Sequence, residues 1–253
     1  MPEGDSVRAT AQQLERALSG HELVAAELRW PSLAGVRITG RMVVETVSRG
    51  KHLLTRLDRD GDRPALTLHS HLRMDGQWRT WATGNRRLPG PTTPARAILV
   101  TSTFTAVGLK LGMLDLVPTT AEDRLVGHLG PDVLGQDWDP GEALRRLRGE
   151  PDRPVADALL DQHLLAGLGT YWASEALHLQ GIAVHRPTGQ GGDELDALVH
   201  RLPSLLQVPR RPPARVYGRR DLPCQRCGAR IRTTRLGPPE RDRQFYWCPG
   251  CQR

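Results

Sequence analysis

Four cysteines, the only ones in this 253-residue chain, stand as two close pairs, Cys224-x2-Cys227 and Cys248-x2-Cys251, twenty residues apart. Two pairs of thiols separated by a hairpin-sized stretch match a tetrahedral four-cysteine Zn2+ site, with each pair on its own turn. A redox pair or two disulfides are the alternatives. No thioredoxin-like βαβ pattern surrounds either pair, and the N-terminus MPEGDSVRAT lacks the basic and apolar segments of a secretory signal. Between the pairs, GARIRTTRLGPPERDRQFYW carries five arginines, with Arg241 and Arg243 just before Phe245, Tyr246 and Trp247. A hairpin with a basic tip suits a phosphate backbone, and a solvated basic loop would read the same way. In Leu164–Thr170, Gly167 and Gly169 free backbone N–H groups to approach an anion at a helix start, or simply make a tight connection.

The elements that must position these residues fall into two kinds. Val7, Ala11, Leu14 and Leu18 recur at helical spacing, which predicts an opening helix from Asp5 to Leu18, capped by Asp5 or Ser6 and stopped by Gly20. From Glu22 to about Leu116 the pattern changes to short Val-, Leu- and Thr-rich segments punctuated by Gly, Pro and Asp, which predicts a β-sandwich or barrel. HLGPDVLG, residues 128–135, is turn-rich and reads as a hinge. After it PGEALRRL, PVADALLDQHLL, YWASEALHLQ and DELDALVHRLPSLL read as helices. Val208–Arg220, proline- and arginine-rich, is expected to be an extended basic linker into the cysteine segment. The fold class is therefore α+β: a β-sandwich domain with a flanking helix (1–118), a hinge (119–135), a helical domain (136–216) and a zinc finger (217–253).

The formal net charge of +7 points to a polyanionic partner, or to an arginine-rich proteome. No apolar run approaches the roughly 18 residues of a membrane span. The chain is expected to be cytoplasmic, nucleoid-associated and monomeric, with no membrane partner.

Five segments carry a resemblance: Met1-Pro2-Glu3-Gly4, Arg49-Gly50-Lys51-His52-Leu53-Leu54, Gly130-Pro131-Asp132-Val133-Leu134, the Gly167-Leu168-Gly169 turn, and Phe245-Tyr246-Trp247-Cys248-Pro249-Gly250-Cys251-Gln252. Over its whole length the chain resembles the formamidopyrimidine-DNA glycosylase and endonuclease VIII family, and its two ends look closer to the endonuclease VIII branch. The resemblance implies a helix-two-turns-helix in the helical domain and damaged double-stranded DNA bound in the cleft between the two halves, with single-stranded or bubble DNA as the other candidate. The damaged nucleotide is flipped out.

The resemblance also implies roles. Loss of Met1 exposes the secondary amine of Pro2, which attacks C1′, expels the base and forms a cationic imine. Glu3 protonates the opened sugar oxygen as general acid. Lys51 corresponds to the family's catalytic lysine beside the lesion phosphate. Arg243 corresponds to the finger arginine that promotes δ-elimination, with Arg241 as its rival. Met74 is the intercalating wedge or, on the bland reading, a core methionine. Arg73, Lys110, His128, Gly169 and Thr170 fall where the family contacts DNA.

Three departures bear on this. Thr170 stands where asparagine is usual, the finger has a few extra residues, and 208–215 looks shorter than the family's loop over the flipped base. Leu111 stands where the purine-specific branch tends to have phenylalanine. The expected activity is a bifunctional glycosylase and abasic-site lyase for oxidised bases, pyrimidines above all, by β,δ-elimination. A non-catalytic zinc-finger nucleic-acid-binding protein on the same scaffold is the alternative.

Overall fold

The computed structural model describes residues 2–240 and 242–253, which divide into two compact units, 1–128 and 129–253. The first opens with α1 (Gly4–Leu18) and continues with β1 (Ala25–Leu28), β2 (Val43–Arg49), β3 (His52–Leu57), β4 (Leu66–His71), β5 (Gln77–Ala82), β6 (Ala95–Val100), β7 (Phe104–Leu109), β8 (Met113–Pro118) and a short α2 (Asp123–Val126). Two antiparallel four-stranded sheets result, in the orders β1-β6-β7-β5 and β2-β3-β4-β8.

The sandwich follows from alternation along the strands. Leu53 and Leu57 on β3, Leu68 on β4 and Leu114 on β8 share one core with Leu28, Trp78, Ala97, Leu99 and Ala106 of the other sheet. Val7, Ala11, Leu14 and Leu18 of α1 enter the same core. Each such leucine buried contributes roughly 2 kcal/mol. The helix begins one residue earlier than expected, because Glu3 is its N-cap rather than Asp5 or Ser6. The Ser6 hydroxyl accepts from the Glu3 N–H and donates to the Glu3 carbonyl, each at 2.9 Å, closing the first turn from inside.

The second unit contains α3 (Pro140–Arg148), α4 (Val155–Ala158), α5 (Thr170–Gln180), α6 (Gly192–Leu206) and the antiparallel pair β9 (Arg232–Leu236) and β10 (Arg243–Trp247). Helix α5 is buried along nearly its whole length, and Leu177, Leu195, Leu202 and Phe245 belong to one core. The hairpin thus completes the helical core through Phe245. The expected helix over PVADALLDQHLL shrinks to the four residues of α4. Arg153 binds Asp157 and Asp161, and Asp161 accepts from the His163 N–H, so the carboxylates fold the chain into turns that compete with the helix. Among the described residues no helix is long and apolar enough to cross a membrane.

Candidate active site

Strand register gathers the site residues of the first unit. Lys51 follows Gly50 in the two-residue connection of the β2–β3 hairpin, where Arg49 pairs with His52. Gly50 has φ 57°, the positive value that a tight hairpin requires at its first loop position and that glycine meets at little cost. His52 lies opposite His71 at the end of β4, and His71 lies opposite Met113 at the start of β8. The β2–β3, β4–β5 and β7–β8 connections therefore share one end of the sandwich, and with them Lys51, Arg73, Met74 and Lys110.

Helix α1 delivers Glu3 to the same end. Its C-terminal part is bound to the start of β2, Glu15 accepting from the Thr46 N–H and Ser19 donating to the Val44 carbonyl. The helix runs back along β2 toward Arg49, leaving Glu3 fully buried at its head with Pro2 beside it.

The neighbouring turns hold unusual backbone. Among the described residues only Arg73 (φ 51°), Lys110 (φ 49°) and Asp221 are non-glycines at positive φ, a conformation costing roughly 1–2 kcal/mol. Two of the three are candidate DNA contacts. The Arg73 N–H donates to His71 Nδ1 at 2.9 Å, and the Gly112 N–H donates to the His71 carbonyl at 2.9 Å. The Arg73 stem crosses Gly112 so closely that a Cβ there would stand 2.4 Å from its Cγ. Met74, beside it, is 64% exposed, so it is not a core methionine. Leu111 is buried in the sandwich core.

Four histidines lie behind this end. His52 Nδ1 is 2.8 Å from His69 Nε2, and His69 Nδ1 is 3.0 Å from an Asp115 carboxylate oxygen. The His71 ring stands edge-on to His52 at 5.0 Å, and the exposed His128 ring at 6.4 Å. Burial, then the neighbouring histidines and Lys51, pushes His52 down to about 3. Burial, then His69, Lys51 and Arg73, pushes His71 down to about 4. His69 is also lowered, by burial working against Asp115. All three rings are neutral at physiological pH.

In the second unit the Gly130–Val133 motif and the Gly167 turn are one construction. Asp132 bridges Ala166 in parallel, the Ala166 N–H donates to the Pro131 carbonyl and the Val133 N–H to the Ala166 carbonyl. A side chain at Gly130 would stand 2.6 Å from the Leu164 backbone, so only glycine permits this approach. Gly167 takes φ 105°, Gln162 binds the turn through its amide, and Gly169 becomes the N-cap of α5 with Thr170 first in the helix.

The four cysteine Sγ atoms lie within 4.8 Å of one another. Cys224 and Cys251 are 3.8 Å apart and Cys227 and Cys248 3.4 Å, close to the about 3.8 Å edge of a tetrahedron with 2.3 Å metal–sulfur bonds. These residues could hold a metal ion, and the sulfur donor set suits zinc. A Cβ at Gly250 would stand 2.9 Å from Cys227 Sγ, and His178 Nε2 lies 3.5 Å from Cys224 Sγ. Burial and the surrounding thiols push Cys251 up to about 12, as expected where four acids share a space made for a cation.

A family model described as the formamidopyrimidine-DNA glycosylase N-terminal domain matches residues 1–114. The chain is 45% identical to a probable endonuclease 8 2 of Streptomyces coelicolor, covering all of this chain and 94% of that one. It is 38% identical to the DNA-(apurinic or apyrimidinic site) lyase Nei2 of Mycolicibacterium smegmatis, covering 100% of this chain and 99% of the other. A complex of the Lactococcus lactis Fpg with abasic-site DNA has the same fold, at TM-score 0.80 and 24% identity, with both chains covered completely. The chain belongs to the formamidopyrimidine-DNA glycosylase and endonuclease VIII family, in its endonuclease VIII branch.

For this family member, Pro2, Glu3, Lys51, Arg73, Met74 and Lys110 gather at one end of the first unit, with His128 joined to them through His52. Gly169, Thr170, Arg243 and the four cysteines belong to the second unit. Arg241 lies outside the described residues. Arg243 is not in the hairpin turn, as its position before the aromatic run suggested. It is the first residue of β10, exposed and opposite Leu236, because strand pairing extends as far as the Arg243–Leu236 register.

Sequence reasoning missed Glu175. Its buried carboxylate accepts from the N–H groups of Arg215, Val216 and Tyr217 at 2.8–2.9 Å, while the Tyr171 hydroxyl donates to the Pro212 carbonyl. The expected extended linker is therefore tied to α5. Glu175 gives no local signal, since a glutamate in a helix ordinarily faces water. The His52–His69–Asp115 contact was missed too, although alternation in TLHSHL put His69 and His71 on one face.

Proposed function

We propose that this protein is a bifunctional DNA glycosylase and abasic-site lyase of base excision repair. The carrying observation is the buried Glu3 at the head of α1, beside Pro2, at the same sandwich end as Lys51, Arg73, Met74 and Lys110. Lys51 and Lys110 are also the only two lysines in the chain, all other fixed side-chain cations being arginines.

In this reading the unprotonated Pro2 amine attacks C1′ of the flipped nucleotide, and the base leaves with its bonding electrons. Glu3 protonates the ring oxygen, the sugar opens, and an iminium joins Pro2 to C1′. Loss of a proton from C2′ expels the 3′ phosphate, and a second elimination expels the 5′ phosphate and leaves a one-nucleotide gap. Lys51 holds the phosphate beside the lesion, and Arg243 assists the second elimination. Met74 enters the stack, while Arg73, Lys110, His128 and the Gly169–Thr170 helix start bind the backbone. Thr170 offers phosphate a shorter donor than asparagine would. One zinc ion, held by Cys224, Cys227, Cys248 and Cys251, supplies folding energy to the hairpin. The substrate is damaged duplex DNA, bound by a monomer, with oxidised pyrimidines preferred.

Single-turnover assays on matched duplexes test this. Glu3→Gln is expected to suppress removal of thymine glycol far more than cleavage of a pre-formed abasic site, which needs no base departure. Equal losses on both substrates, or faster removal of 8-oxoguanine by the wild type, contradict the general-acid role or the pyrimidine preference respectively.

A further inference from the structure

His52, His69 and His71 lie on the face of β3 and β4 opposite Leu53 and Leu68, the core residues, and Asp115 continues that row on β8. We propose that His52 is a positioning residue for Lys51: Asp115 and His69 set its tautomer, so that it turns an unprotonated nitrogen toward the Lys51 end of the sandwich. The proposal rests on the role assigned above to Lys51.

Proton bookkeeping carries the argument. A carboxylate only accepts, so His69 Nδ1, 3.0 Å from Asp115, bears the proton of that ring. The neutral His69 then has its lone pair on Nε2, which faces His52 Nδ1 at 2.8 Å. One of these two nitrogens must donate, and only His52 Nδ1 remains to do so. The lone pair of His52 is left on Nε2, on the ring edge away from His69.

The other titratable or charged groups near His52 are His71 from β4, His128 and Lys51 itself. His71 already uses Nδ1 to accept from the Arg73 N–H, so its own proton is on Nε2. Around His69 the charged groups are Asp115 and Glu122. His52 is therefore a neutral acceptor next to an ammonium that has three donors and no acceptor. A carboxylate in its place would cancel the charge that Lys51 needs for phosphate, whereas an imidazole orients the ammonium and leaves the charge intact. The mutual engagement of His52 Nδ1 and His69 Nε2 also argues against a metal held between these rings.

The chain with 15N-labelled histidine tests this by two-bond 1H–15N correlation at neutral pH, which reads each ring nitrogen separately. His52 and His69 are expected to carry their protons on Nδ1 and to show bare Nε2. Asp115→Leu is expected to scramble the His52 tautomer and to slow single-turnover base excision about tenfold or more, with affinity for a duplex containing a reduced abasic analogue unchanged. A wild-type His52 protonated on Nε2, or charged at pH 7, overturns the proposal without any variant, so it stays testable even if Asp115→Leu fails to fold. Lys51→Ala, run in parallel, separates the two layers: full excision activity there discards the Lys51 role and the positioning with it, whereas a wrong tautomer discards the positioning alone.

Discussion

The two units assemble their functional residues by opposite means. In the first, antiparallel register brings the β2–β3, β4–β5 and β7–β8 connections to one end, so each site residue needs only to stand at the right strand terminus. In the second, the sheet among the described residues has two strands. Turns, one buried carboxylate and a cluster of sulfurs fix the chain instead. A sandwich core of leucines tolerates polar residues on its outer face and at its ends, and uses them. A short hairpin cannot bury enough apolar surface to hold itself, so a few polar anchors carry it. The first unit should therefore fail gradually under substitution, and the second abruptly.

The largest expected effect is at the sulfurs. Cys248→Ser removes one ligand from a site whose metal would supply on the order of 10 kcal/mol to folding. The purified variant should lose its zinc, as counted by metal analysis, and with it DNA binding. A zinc-free protein that retains full activity would contradict the contrast at its root.

Next is Glu175, whose removal leaves three backbone N–H groups, the buried one of Val216 among them, without their acceptor. Glu175→Ala should cost roughly 3 kcal/mol or more, read as a lower denaturation midpoint of the second unit. An exposed glutamate such as Glu22 should cost well under about 1 kcal/mol on removal. Equal costs would mean that the carboxylate does not anchor the 215–217 backbone.

Acid should act on the first unit. His52 and His71 have folded values near 3 and 4 against 6.5 when unfolded. The unfolded chain therefore binds more protons between these limits, and stability must fall as pH drops below 6.5 toward 3. His52→Phe should flatten that slope, whereas a slope unchanged by His52→Phe would show that the ring is not held neutral by the fold.

The smallest effect is expected at Arg243, exposed at the start of β10. Arg243→Ala should shift products from δ- toward β-elimination several-fold, visible on a sequencing gel, with the hairpin intact. If Arg241→Ala does this and Arg243→Ala does not, the finger arginine is Arg241.

How much of this was legible follows the same division. The sandwich could be read because Val and Leu alternate along each strand, and the cysteine site because its spacing is chemical rather than conformational. Helix α4 was overestimated because apolar periodicity in PVADALLDQHLL does not register Asp161 and Arg153 bonding locally instead. Glu175 and the His69–Asp115 pair were illegible for another reason: their partners are 40 and 46 residues away, and no local pattern marks a side chain turned inward toward a distant backbone or strand. The same limit applies to Arg243, whose place depended on how far the hairpin stays paired.

The central claim, that Pro2 is the nucleophile, has one direct test. Only a free terminal amine can form the iminium, and with a reference pKa near about 8 a useful fraction is unprotonated at physiological pH. Borohydride reduces the iminium to a stable adduct, so processed protein and protein extended before Pro2 by an uncleavable tag are to be compared on duplex containing an abasic site. The account predicts a covalent protein–DNA band and strand cleavage for the processed form and neither for the tagged form. Equal trapping and nicking by the tagged protein would contradict it and turn attention to Lys51.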